Sequence, residues 1–330
     1  MNEPYCLFKT EKKRVVWEVT HLCNYACVHC CSQSGKVENN SELTYEQMLM
    51  VLEQLDDDGV QEIYYSGGEP FIRKDMIAIL EETRKRGILA NVSTNGSFLT
   101  PELASHLRDI DVNLIHISLD SDREEEYDRF RGGEYYAKTV EAIDNAKSVG
   151  LYVRVGAVIW KDNADHLRDM IEFLMEHRVD EVVFNWLIRV GRFKENSEMG
   201  ISLDEFDGLI SQVRGFMREY KGRIKVSMHR SEPYIDDGSH CLAGSHLLFI
   251  LPDGRVSPCS WLAKLDGQFV TEKTLKTCTL NELKHGSAFL RWNEVLDKRC
   301  RVCSSGCPAI CYERTGSYYT EDPLLLHNMH

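Results

Sequence analysis

The sequence predicts an α/β protein: a partial, open barrel of six parallel βα units, followed by a small cysteine-rich unit. Three observations predict it. Apolar, β-branched runs alternate with helix-period stretches every 30 residues or so through the first 190 positions. The cysteines form two groups at opposite ends of the chain, with none between Cys31 and Cys241. Beyond about residue 230 the periodicity weakens as cysteine density rises, which suits a small unit whose core is completed by metal.

The strand runs are 15–20, 62–66, 89–94, 114–119, 152–158 and 181–186. The stretch "TYEQMLMVLEQLDDDG" opens on a Thr44 cap and stops at Gly59; "DMIAILEETRKRG" and "KTVEAIDNAKSVG" also end on glycine, as left-handed helix termination requires. "TPELASHLRD" places a proline just inside a threonine cap, and "ADHLRDMIEFLMEHR" completes the set. Parallel strands need such crossover helices. Six units fall short of the eight that close a barrel, so the sheet is read as open. Residues 189–203 are polar and glycine-containing and read as a linker, followed by the helix "DEFDGLISQVRGFMREY". The domain division is an extension over 1–13, a barrel core over 14–190, a linker and bridging helix over 191–235, and a cysteine-rich domain over 236–330.

The 330 residues are 43% hydrophobic and 28% charged, enough for one large core and a smaller second unit. A net charge of −13 provides no footprint for nucleic acid or an anionic membrane surface. No signal-peptide core or membrane-length apolar run is present, so a cytoplasmic location is expected, without membrane or nucleic-acid partners. Disulfides are rare in a reducing cytosol. Ten of the twelve cysteines fall in two groups, with Cys6 and Cys278 standing alone, and the groups therefore point to metal sites.

The first group is "HLCNYACVHCC", where Cys23, Cys27, Cys30 and Cys31 come directly after the first strand. Thiolates at this density suit an iron–sulfur cluster or a structural zinc. Ligands bind at the C-terminal ends of parallel strands. The later strand ends carry "SGGEP" at 66–70, "STNG" at 93–96, "SLD" at 118–120 with "DRFRGG" beyond it, and "VGAVI". Glycine, asparagine and aspartate also serve turns. Turn chemistry alone does not explain all of these motifs on one rim beside a thiol loop.

Cys23-x3-Cys27-x2-Cys30, with "GGEP" some 40 residues on, resembles the radical S-adenosylmethionine (radical SAM) superfamily over residues 14 to about 190. The resemblance implies that Cys23, Cys27 and Cys30 hold a [4Fe–4S] cluster whose fourth iron chelates S-adenosylmethionine, leaving Cys31 spare. One electron entering a C–S bond would leave methionine and a 5′-deoxyadenosyl radical, which abstracts hydrogen from an unactivated carbon. It further implies that Gly67, Gly68 and Glu69 receive the amino group of the nucleotide. Thr94 and Asn95 would lie near its ribose or methionine portion. Ser118 and Arg131 would meet its carboxylate or ribose, and His29 its adenine. Asp120 is as readily a turn former as a ligand. A reducing partner such as flavodoxin or ferredoxin is implied as well.

The C-terminal "CLAGSHLLFILPDGRVSPC" and "CRVCSSGCPAICYERTGSYYTEDP" resemble the SPASM and twitch extensions of this superfamily, which carry auxiliary [4Fe–4S] clusters. "PDGRVSPC" is a hairpin by its own chemistry, with Asp-Gly between apolar strands. The candidate ligands are Cys241, Cys259, Cys300, Cys303, Cys307 and Cys311. Their spacing departs from a complete SPASM set, and no cysteine comes after Asp322-Pro323. One auxiliary cluster is expected, two if noncysteine ligands take part; zinc is the alternative from spacing alone. Cys278 and Cys6 read as packed thiols.

An auxiliary cluster suits oxidations in which an electron leaves a substrate radical. The expected function is a radical SAM enzyme acting on a small natural-product or cofactor-pathway substrate of sugar, nucleoside or tetrapyrrole type. The alternative is a peptide-modifying enzyme that cross-links, oxidises or epimerises. The 22 residues before Cys23 leave no room for the N-terminal peptide-binding domain many such relatives carry. "CVHC" and "FRGG" resemble relatives that trim tetrapyrrole side chains. A noncatalytic electron carrier would have no need of the rim motifs. No residue is assigned the hydrogen-donating role; Tyr64, Tyr65 and Trp186 read as core.

Overall fold

The computed structural model describes residues 12–36, 41–228, 241–301 and 307–320. All six expected strands are present: β1 (Arg14–Glu18), β2 (Glu62–Ser66), β3 (Leu89–Thr94), β4 (Leu114–Ser118), β5 (Val153–Ile159) and β6 (Glu181–Trp186). They lie side by side in chain order, each parallel to the next. The sheet runs further on both edges. β7 (Lys225–Met228) adds beyond β6, and β8 (Leu247–Ile250) pairs parallel to β1 and turns back into antiparallel β9 (Val256–Ser257).

The period of two sets the two faces of this sheet. Val15, Trp17, Ile63, Tyr65, Val92, Ile117 and Val155 are fully buried in the main core. Tyr65 and Trp186 are thus core residues, as expected, whereas Tyr64, also read as core, is half-buried on the opposite face. The alternate positions Val16, Tyr64, His116, Arg154 and Val183 are only half-buried on the other face. The helices α1 (Tyr45–Asp57), α2 (Met76–Lys85), α3 (Pro101–Asp109), α4 (Glu124–Arg131), α5 (Tyr136–Ser148), α6 (Leu167–Glu176) and α7 (Leu203–Glu219) accompany the barrel strands. Thr44 caps α1 in a reciprocal capping box with Gln47, and Gly59 lies just beyond at φ 73°.

Two segments differ from expectation. The stretch after β4, to which no element is assigned from sequence, carries α4: three glutamates open it and Gly132 closes it at φ 78°. Residues 189–203, read as a linker, form two 3-10 turns, Gly191–Glu195 and Ser197–Met199, folded against the cysteine loop.

The C-terminal portion comprises α8 (Ser260–Leu265), α9 (Leu280–Lys284), α10 (Ser287–Arg301) and α11 (Pro308–Thr315). The Asp-Gly hairpin forms as expected, with Gly254 at φ 87° between β8 and β9. A second small core gathers Trp292, Phe269, Leu262, Ala309 and Tyr318. Trp292 Nε1 donates to Ala243 O at 2.7 Å, and the Phe269 ring meets Trp292 and Tyr318 edge-on. Among the described residues no helix is long and apolar enough to cross a membrane.

Candidate active site

The chain leaving β1 loops outward and is closed at its base by a bridge between Leu22 and Gly35, with Cys23 N donating to Gly35 O at 2.8 Å. The "GGEP" turn after β2 presses on this loop from below. Gly68 N donates to Thr20 O at 2.7 Å and Glu69 N to Leu22 O at 2.8 Å. A Cβ on Gly68 would stand 1.9 Å from Leu22 O, and one on Gly67 2.5 Å from Thr20 O. Both glycines are therefore required by the approach of two backbones, and Gly67 also by its φ of 142°.

Glu69 is fully buried. Its carboxylate accepts from Thr94 Oγ1 and Asn95 N, each at 2.8 Å, and from Phe71 N at 3.2 Å. Burial still pushes its pKa up to about 7 against these hydrogen bonds. "GGEP" and "STNG" are thus one assembly. Asn95 continues it, donating to Asn24 Oδ1 at 3.0 Å, and Asn24 donates to Ser97 Oγ at 2.9 Å.

The third support comes from "SLD" and α4. Arg131 donates to the Asp120 carboxylate through Nε at 2.6 Å and reaches it through Nη2 at 2.5 Å, both groups being buried. Its Nη1 lies 3.8 Å from Cys27 Sγ. Burial opposes the guanidinium charge, but the Asp120 carboxylate outweighs it and holds Arg131 protonated. Asn163 braces Asp120, donating to its carbonyl at 2.6 Å and to Val158 O at 2.8 Å. Ser118 is half-buried at the end of β4, its carbonyl accepting from Tyr127 OH at 3.2 Å. His29 stacks on Phe130 at 4.0 Å, and Phe130 on Trp160 at 3.9 Å, making a three-ring column.

The 3-10 turn after β6 clamps the loop from outside. Arg192 donates to Cys27 O and Ser34 O, both at 2.8 Å, and its own N–H to Cys30 O at 3.1 Å. Sequence reasoning missed this clamp, and also Asn163, Phe130 and Trp160. The only signal for Arg192 is the short "VGR", whose partners lie some 160 positions away.

Cys23, Cys27 and Cys30 face one another closely enough to interact electrically. Burial raises the Cys23 thiol to about 11, with Cys27, Glu69 and Cys30 adding to the rise. Cys27 is raised by burial and by Cys30, and partly relieved by Arg131. Tyr25 N at 3.4 Å and Asn95 Nδ2 at 3.9 Å both point at Cys23 Sγ. Among the described residues no three His, Cys, Asp or Glu side chains converge on a single ion. A cubane instead takes one thiolate per iron, and N–H groups directed at sulfur tune such a centre. Three neighbouring thiols, Cys27 buried and Cys23 and Cys30 half-buried, with N–H donors directed at Cys23 and Cys27, fit that group. Cys31 is raised by burial and contacts Ser32 Oγ at 3.7 Å.

Of the C-terminal candidates, Cys241, Cys259 and Cys307 pack against the small second core, and Cys311 is fully buried. Cys300 falls within α10, and Cys303 and Cys6 lie outside the described residues. Cys278 is half-buried against the main core.

An open parallel sheet with a buried thiol loop and interlocked strand-end motifs on one rim defines a cluster-bearing α/β enzyme core. The chain belongs to the radical SAM superfamily, whose family model matches residues 17–174. It is an enzyme of that class, and its cofactors are a [4Fe–4S] cluster and S-adenosylmethionine. Its cysteine-rich C-terminal region is consistent with relatives of the SPASM type. The chain is similar to the Fe-coproporphyrin III synthase of Methanosarcina barkeri, at 31% identity over 238 residues, 69% of this chain and 58% of that one. It matches the AdoMet-dependent heme synthase of the same organism at 25% identity, over 95% of this chain and 96% of that one. In fold it is similar to Streptococcus suis SuiB bound to S-adenosylmethionine, with a TM-score of 0.76 at 16% identity, covering 95% of this chain and 77% of that one.

Proposed function

We propose that this enzyme abstracts hydrogen from a side chain of a tetrapyrrole. The observation that carries the reading is the end-to-end match with a heme synthase, which spans both the barrel and the C-terminal thiols. In the proposed site Cys23, Cys27 and Cys30 ligate the first cluster. Gly67, Gly68, Glu69, Thr94, Asn95, Ser118, Arg131 and His29 surround the nucleotide. When bound, the cluster and nucleotide supply a 5′-deoxyadenosyl radical. The chain's own part is to seat the nucleotide ammonium on the buried Glu69 carboxylate and to hold the loop rigid through Arg131 and Arg192. A net two-electron oxidation then needs one electron to leave the substrate radical. That is the role proposed for a C-terminal cluster on Cys241, Cys259, Cys300, Cys303, Cys307 and Cys311. Flavodoxin or ferredoxin in the cytoplasm would supply the reducing electron.

The test is anaerobic incubation of the reconstituted protein with S-adenosylmethionine, dithionite and iron coproporphyrin III. The expected result is 5′-deoxyadenosine together with a porphyrin product of lower mass. Nucleotide cleavage without any porphyrin product, and with a modified peptide in a parallel incubation, would move the assignment to the peptide-modifying branch.

A further inference from the structure

We propose that the cavity between the cysteine loop and α8 is a carboxylate-binding subsite, built on Lys264 and Lys194, for an acidic side chain of the substrate. The proposal rests on the tetrapyrrole reading and adds to it where the substrate's acid groups are held.

The cavity has a volume of about 240 Å³, and its walls include Glu18, Ser32, Gly191, Lys194, Phe249 and Lys264. That is below the several hundred Å³ of a whole-ligand pocket and suits one acidic arm of a larger molecule. Lys264 reaches across from α8, where it lies just over one turn beyond Cys259, to the end of β1. Its Nζ donates to Glu18 Oε1 at 2.5 Å and Ser32 Oγ at 2.6 Å, and Ser32 in turn donates to Glu18 at 2.6 Å. Its ammonium also lies over the Phe249 ring, with Nζ 5.2 Å from the centroid. An ammonium has three donors. Two are spent on Glu18 and Ser32, and the side chain is still 12% exposed where the cavity lies. Lys194 is exposed on the cavity rim.

Two lysines against one carboxylate leave this cavity positive in a chain of net charge −13. An anion is therefore drawn here against the field of the rest of the molecule. The position is equally specific. Ser32 lies two residues beyond Cys30, and Lys264 five beyond Cys259. Gly191 forms a wall so close to the loop that a Cβ there would stand 2.3 Å from Cys30 O. A substrate anchored by an acid group at this point lies between the two cysteine-bearing elements. That position suits a substrate that gives its hydrogen atom to the 5′-deoxyadenosyl radical beside the first cysteine loop and an electron to the C-terminal cysteines' cluster.

The experiment uses the full-length reconstituted protein and two probes. Iron coproporphyrin III is titrated optically beside its tetramethyl ester, and trifluoroacetate is monitored by fluorine NMR line width. Lys264→Met is expected to weaken binding of the acid at least tenfold, as loss of a charge-assisted hydrogen bond does, and Lys194→Met about threefold. Neither change should alter ester binding, and trifluoroacetate broadening should vanish in Lys264→Met. If Lys264→Met does not fold, Lys194→Met and the acid-to-ester ratio decide. Equal binding of acid and ester, or wild-type acid affinity in both variants, overturns the subsite. If the porphyrin fails to bind while trifluoroacetate responds to the lysines, the tetrapyrrole reading falls and the subsite stands. If neither probe binds, the subsite falls.

Discussion

Replacement of Gly68 by alanine tests the architecture of the site independently of its chemistry. The new Cβ would stand 1.9 Å from Leu22 O and 2.5 Å from Leu22 C. Ordinary contacts are about 3.5 Å, so the two backbones must part by about 1.5 Å. Both sides are main chain, and no flexible side chain can yield. The separation breaks the bonds from Gly68 N to Thr20 O and from Glu69 N to Leu22 O, now 2.7 and 2.8 Å. Two lost hydrogen bonds plus overpacking amount to about 2–5 kcal/mol. Urea denaturation of the apoprotein should show that loss. Iron content after anaerobic reconstitution should fall with it, because the loop carrying Cys23 is displaced. Gly35→Ala is the control: nothing lies within 4 Å of its Cβ position, and its stability should stay within about 1 kcal/mol of wild type. A Gly68→Ala protein with a wild-type midpoint and wild-type iron would refute the reasoning.

Asp120→Asn leaves the buried Arg131 charge unpaired and should cost about 3–5 kcal/mol in the same denaturation. Arg192→Ala removes two charge-assisted bonds to the cysteine loop. It should speed iron loss to a chelator several-fold while leaving the thermal midpoint within a few degrees. His116 gives a pH signature. Burial lowers its pKa from 6.5 to about 4, with Arg154 next in effect. The half-buried imidazole, its ring largely desolvated by its neighbours, stays neutral and binds fewer protons than the unfolded one between these values. Stability is therefore complete above pH 6.5 and falls as pH drops toward 4, by about 3 kcal/mol in all. His116→Asn should flatten that acid limb in urea melts taken at successive pH values.

The barrel strands were readable because the apolar runs alternate with helix-period stretches, three of which stop on glycine, at Gly59, Gly87 and Gly150. Local chemistry also sufficed for the Thr44 cap and the Asp-Gly hairpin. The rim motifs pointed to a shared site, but not to the manner of their union. Nothing in "GGEP" alone says that its carboxylate is spoken for by the threonine and asparagine of "STNG". α4 was obscured because its polar, arginine-rich face carries few apolar repeats. Its buried Tyr127, Phe130 and Arg131 do follow the i, i+3, i+4 spacing, but only two of them are apolar, too short a stripe in an eight-residue helix to stand out. The Arg192 clamp was hidden for a simpler reason. A polar segment beside glycine looks like a tether in one dimension, and only folding brings it against carbonyls 165 and 158 positions earlier.

β1 is paired along its length on both sides, with β2 on one flank and β8 on the other. The strand that launches the first thiol loop thus shares a ladder with the hairpin that delivers Cys259. Cutting the chain before residue 241 would strip that flank and bare a row of unsatisfied amides beside Val16, an invitation to self-association. Maturation of the two halves is consequently coupled through main-chain hydrogen bonds. Ordering of the C-terminal hairpin steadies the root of the distant loop.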